Sequence, residues 1–67
     1  DSIVTITGRR EVLIENYKGI LEYTGEYIKI QTKNAKLTVY GKKLSIEYYT
    51  NEDMKVVGFV KSIEYEA

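Results

Sequence analysis

Glu52 and Asp53 are the only adjacent carboxylates in a chain of 67 residues that contains neither histidine nor cysteine. General acid–base or nucleophilic chemistry near neutral pH would therefore have to come from a carboxylate pair or from a lysine of perturbed pKa. The pair lies in Thr50-Asn51-Glu52-Asp53, a polar stretch that reads as a solvated turn. The same oxygens could face a calcium ion, but their spacing is not that of an EF-hand loop. The absent residue types remove disulfides and the N/S ligand sets of zinc and most transition metals. Neither glycine-rich phosphate pattern occurs, so the glycines read as architecture. No catalytic residue, metal ligand or cofactor is expected.

What remains are residues suited to contact. Two basic pairs, Arg9-Arg10 and Lys42-Lys43, sit where turns are expected, and seven of the eight aromatic residues are tyrosines. Small β barrels stack bases on exposed aromatics, which makes a nucleic-acid module one reading. Against it, ten cations balance ten anions, and Glu22, Glu26, Glu47, Glu64 and Glu66 interleave with the lysines. A phosphate-tracking surface normally shows an excess of cations. In the strand phase set by Leu37-Val39 and Leu44-Ile46-Tyr48, Tyr40 and Tyr49 fall opposite the core, as a cross-strand aromatic pair or as part of a contact surface. Tyr23 and Tyr48 fall on the core side with their hydroxyls at its rim. The candidate interaction surface is thus Tyr40, Tyr49, Arg9, Arg10, Lys42 and Lys43.

The elements that must position these residues are strands. Leu21-Glu22-Tyr23, Ile28-Lys29-Ile30-Gln31, Leu37-Thr38-Val39-Tyr40 and Leu44-Ser45-Ile46-Glu47-Tyr48 alternate apolar and polar residues, the mark of half-buried strands. Gly8, Gly25, Gly41 and Gly58 interrupt the pattern at intervals of 16 or 17 residues. Shifting Leu21–Ile30 by 16 onto Leu37–Ile46 pairs apolar with apolar without a gap, which suggests a repeated hairpin. Gly8-Arg9-Arg10, Tyr23-Thr24-Gly25-Glu26 and Tyr40-Gly41-Lys42-Lys43 read as turns. Gly58, flanked by Val57 and Phe59, reads as a bulge or bend inside one long strand. Leu13, Tyr17, Ile20 and Leu21 would form a helical stripe, but Val12-Leu13-Ile14 is mostly β-branched and Asn16-Tyr17-Lys18-Gly19 has turn chemistry, with Gly19 as the left-handed residue. Two strands are preferred there.

The string from Gly8 to Thr24, with the segment Leu37–Ile46 and the ending Gly58-Phe59-Val60-Lys61-Ser62-Ile63-Glu64-Tyr65, resembles the YqfC branch of the YabP/YqfC family of sporulation proteins of endospore-forming Firmicutes. The resemblance covers about Ile3 to Tyr65. It implies a small protein without catalytic activity, made in the mother cell and needed for spore morphogenesis. It also implies a membrane protein of the YqfD type as partner, and residence in the mother-cell cytoplasm or at the periphery of the membrane around the forespore. The proline that family members often carry before the first strand is missing.

The expectation is one all-β domain over residues 1–67, excised from a slightly longer chain, with seven or eight short, mainly antiparallel strands in a sandwich or rolled sheet. A β-solenoid-like stack of hairpins is the alternative. The expected core is Ile6, Val12, Ile14, Leu21, Tyr23, Ile28, Ile30, Leu37, Val39, Leu44, Ile46, Val56 and Ile63. At this size a core is thin and there is no covalent staple. Self-association through sheet edges, which no proline blunts, is the economical route to more burial.

Overall fold

The computed structural model describes residues 2–67, which form six strands: β1 (Ile3–Thr7), β2 (Glu11–Glu15), β3 (Gly19–Tyr23), β4 (Tyr27–Gln31), β5 (Lys36–Tyr49) and β6 (Asp53–Glu66). All pairings are antiparallel, in the order β1-β2-β6-β5-β4-β3. The class is all-β, as the alternation required. The strand count is six rather than seven or eight, because the two last strands are each 14 residues long.

Their length dictates the shape. A straight strand of that length would span roughly 45 Å, yet the longest dimension of the molecule is 26 Å. Both strands therefore bend, and each serves two half-sheets. The first part of β5 pairs with β4 and with the end of β6; its last part pairs with the start of β6, which in turn pairs with β2. The halves fold over one another, so that Val12, Ile14, Met54 and Val56 from one and Ile28, Ile30, Leu37 and Val39 from the other form one fully buried cluster. This is a rolled open sheet; the single antiparallel ladder replaces the solenoid alternative.

Gly41 and Gly58 make the bends possible. A Cβ on Gly41 would lie 1.9 Å from the Phe59 carbonyl oxygen, and one on Gly58 would lie 2.5 Å from that of Lys43. Gly58 also holds φ at +136°, a region that L side chains rarely adopt. Gly58 thus lies inside one long strand, as its apolar flanks indicated. Tyr40-Gly41-Lys42-Lys43 is a correction: it is no hairpin turn but the irregular middle of β5, where the register with β6 shifts. The β3–β4, β4–β5 and β5–β6 turns are built alike. Thr24, Thr32 and Thr50 each donate their N–H to the carbonyl three residues on, and their hydroxyls accept from turn N–H groups.

The segment 10–18 holds strand β2 and the link after it, not a helix, and the left-handed residue after β2 is Asn16 (φ 62°) rather than Gly19. Asn tolerates that conformation through its short polar side chain. Three expected core residues are displaced: Ile6, Leu21 and Tyr23 are about half exposed, because β1 and β3 are the sheet edges. Ile46 and Ile63 are only partly buried against the core, while Tyr17, Met54 and Val60 join it. Tyr48 is another correction. A register shift between Ile46 and Tyr48 turns it to the outer face, beside Leu13 and Lys55, instead of the core side.

The repeat is real but paired differently. β1–β2 corresponds to β3–β4 at an offset of 16, and β5 to β6 at 17, so that Val12 matches Ile28, Leu37 matches Met54 and Gly41 matches Gly58. Ser45-Ile46-Glu47-Tyr48 recurs unchanged as Ser62-Ile63-Glu64-Tyr65. The ladder obeys the same correspondence: β2 lies on β6 as β4 lies on β5. Matching Leu21–Ile30 with Leu37–Ile46 instead equates an edge strand with a central one.

Candidate interaction surface

The bend in β6 brings the two basic pairs to one corner. The turn between β1 and β2 lies along it, with Gly58 donating to the Arg10 carbonyl at 3.1 Å and Val60 to that of Arg9 at 2.8 Å. The Arg10 guanidinium stands 4.8 Å from the centroid of the Phe59 ring, a cation–π distance. Lys42 is the cross-strand partner of Phe59, so the two side chains share a face, and Lys43 follows it in a left-handed conformation (φ 53°). Arg9-Arg10 and Lys42-Lys43, read in the sequence as two separate turn tips, thus flank one half-exposed phenylalanine.

Among the described residues, two of the other six cations are ion-paired. Lys55 bridges Glu11 at 2.7 Å and Glu47 at 3.3 Å, and these hydrogen bonds hold its pKa above the usual lysine value. Lys29 meets Glu22 at 3.7 Å, while the Tyr27 hydroxyl donates to the same carboxylate at 2.9 Å, which raises the Tyr27 pKa. Among the described residues, the four cations of the corner form no ion pair. Two acidic residues adjoin the corner through the backbone: Glu11 follows Arg10 directly, and the Glu26 carbonyl accepts from the Gly41 N–H at 2.9 Å. Zero net charge therefore conceals an uneven distribution.

The tyrosines do not assemble as expected. Tyr40 and Tyr49 lie on the same strand, on opposite sides of the bend, so they form no cross-strand pair. Tyr40 packs instead against Tyr27, with ring centroids 6.4 Å apart. Tyr49, exposed, borders a surface hollow of about 330 Å³ together with Tyr17, Lys18, Ile20 and Thr50. Inside it the buried Tyr17 hydroxyl donates to the Thr50 carbonyl, and burial is the main cause of a pKa above the ordinary phenol value. Tyr23 reaches from β3 across the open seam of the roll, where its hydroxyl accepts from the Ile46 N–H at 3.0 Å.

Glu52 and Asp53 occupy the β5–β6 turn, as read, with their N–H groups on the Thr50 hydroxyl. Among the described residues no group of three acidic, histidine or cysteine side chains could hold a metal ion. Phe59 and Tyr27 were not singled out in the sequence. Phe59 adjoins a glycine whose bulge was legible, but the direction a bulge gives its neighbours is set by the partner strand.

Comparison with known proteins returns one family: a model described as the YabP family matches residues 1–67. No curated protein and no solved structure matches.

Proposed function

The chain belongs to the sporulation-associated YabP family, and on that footing we propose that it is a non-enzymatic interaction module of endospore formation. It acts by contact: with copies of itself, and with a membrane protein of the YqfD type, as its resemblance to the YqfC branch implies. The site of action is the mother cell, at or near the membrane around the forespore. Tyr40, Tyr49 and the four cations of the corner supply the contacts.

The observation that carries the partner contact is the corner itself, with Arg9, Arg10, Lys42 and Lys43 around the half-exposed Phe59. Cations beside an accessible aromatic favour an acidic or anionic partner surface and keep little for the fold. Reversing two charges, Arg10→Glu with Lys42→Glu, should abolish co-purification of the YqfD-type protein from membranes of sporulating cells. Equal recovery with wild type and variant would refute the contact. The same corner favours nucleic acid as the second reading. Titration with a mixed-sequence single strand at low salt decides it, since a phosphate-driven contact is strongest there.

A further inference from the structure

We infer that the edge of β1 is a homodimer interface, on which a second copy of the chain pairs antiparallel about a two-fold axis through Thr5. The inference rests on the reading that the domain works by association, and it adds the partner, the edge and the register.

The internal repeat supplies a comparison between the two ends of the sheet, because β1 and β3 are equivalent elements with unlike edges. β3 is blunted in ways that natural edges are. Its register with β4 breaks between Ile20 and Glu22, it carries a charge at Glu22, and Tyr23 folds over the neighbouring seam. β1 has none of these devices. Ile3-Val4-Thr5-Ile6-Thr7 pairs with β2 through five consecutive residues without a shift, and it contains no charge, glycine or proline. Ile3 and Ile6 remain 50% and 53% exposed, although Ile6 stands opposite the fully buried Val12 on the core face.

Such an edge is a template for another strand, and a copy of itself fits. With Thr5 on the axis, Val4 lies opposite Ile6 of the second copy and Ile3 opposite its Thr7. All five residues are then used, and apolar meets apolar on the core face of both molecules. Centring the axis on Val4 or Ile6 would leave part of the strand unpaired. No like charges oppose one another within the ladder.

Charge complementarity points to the same occupant. Beyond Thr7 comes the basic turn with Arg9 and Arg10. Antiparallel pairing carries that turn to the opposite end of the second copy, where Glu15 stands beside Ile3, Asp53 beside Glu15, and Glu52 in the adjoining turn. Lys18 and Lys33 border the same end, leaving one carboxylate in excess among the described residues. The two-fold axis makes this contact twice.

The chain has no cysteine, so Thr5→Cys introduces a single thiol. Residues directly opposed in antiparallel strands have Cα atoms about 4.5–5.5 Å apart, within disulfide range. Mild oxidation should convert most of the Thr5→Cys protein to a covalent dimer, whereas Leu21→Cys on the β3 edge should give little. In sedimentation equilibrium, Thr5→Lys, which places two ammonium groups on the axis, should weaken the dimer at least tenfold while Leu21→Lys leaves it intact. Circular dichroism confirms that each variant is folded. A wild-type protein that stays monomeric at high concentration overturns the inference without touching the membrane-partner contact, which Lys42→Glu alone tests separately, since Lys42 lies on β5 and away from the β1 edge. A dimer that survives Thr5→Lys and resists cross-linking at Thr5 places association elsewhere and overturns the β1 edge.

Discussion

Gly41 and Gly58 have surroundings that Gly25 does not. Alanine at Gly41 would drive a methyl into the Phe59 carbonyl, and alanine at Gly58 would add an unfavourable φ to a clash with backbone. Each substitution should cost more than about 2 kcal/mol in chemical denaturation, because the contacting atoms are main chain and cannot turn aside. Gly25→Ala meets open space and should stay within about 0.5 kcal/mol. Tyr17 carries a second prediction. Burial first, then the nearby Tyr49 and Asp53, raise its pKa above 10.0, and hydrogen bonds to Glu11 and Glu47 raise that of Lys55 above 10.5. A group whose pKa is higher folded than unfolded contributes its stability fully below the unfolded value and loses it as pH rises through the folded one. Urea midpoints should therefore fall as pH climbs past about 10, and Tyr17→Phe should make that fall shallower. The directions of single side chains were the least legible part of the sequence. Asn16 and Gly19 both suit a left-handed turn, and only the path from β2 to β3 selects Asn16.

Alternation fixed the identity and much of the burial of the elements, but it could not say where a strand ends. Val12, Ile14, Ile28, Ile30, Leu37, Val39, Leu44 and Val56 were all placed correctly in the core, Ile28, Ile30, Leu37, Val39 and Leu44 of them by period two. Leu21 and Tyr23 obey the same period yet are exposed, since a strand at the edge of a sheet has a neighbour on one side only. Ile14→Ala should thus cost about 2–5 kcal/mol, as expected for a large residue removed from a packed site. Leu21→Ala should cost under about 1 kcal/mol by the same denaturation measurement. Equal losses would contradict the strand order. Gly41 was misread because a glycine followed by two lysines has the composition of a turn, whereas here it lets two 14-residue strands bend together.

Folding the chain changed the meaning of its charge balance. In the sequence, equal numbers of acids and bases argued for strand faces kept soluble. In the rolled sheet, Lys29 and Lys55 pair with Glu22, Glu11 and Glu47, while Arg9, Arg10, Lys42 and Lys43 gather at one corner beside Phe59. That convergence was invisible beforehand because it depends on a β6 bend that places residues far apart in the chain side by side. The absence of a covalent staple also acquires a context: one edge is blunted and the other bare, so a second copy can extend the sheet where the core is thinnest. The most direct test of a module that works by surface contact is a count of heat-resistant spores. A spore-forming host would carry Arg10→Glu with Lys42→Glu in place of the native residues, with folding and protein level checked against wild type. The account predicts a loss of at least tenfold in such spores; an undiminished count with the variant folded and present at the normal level would contradict it.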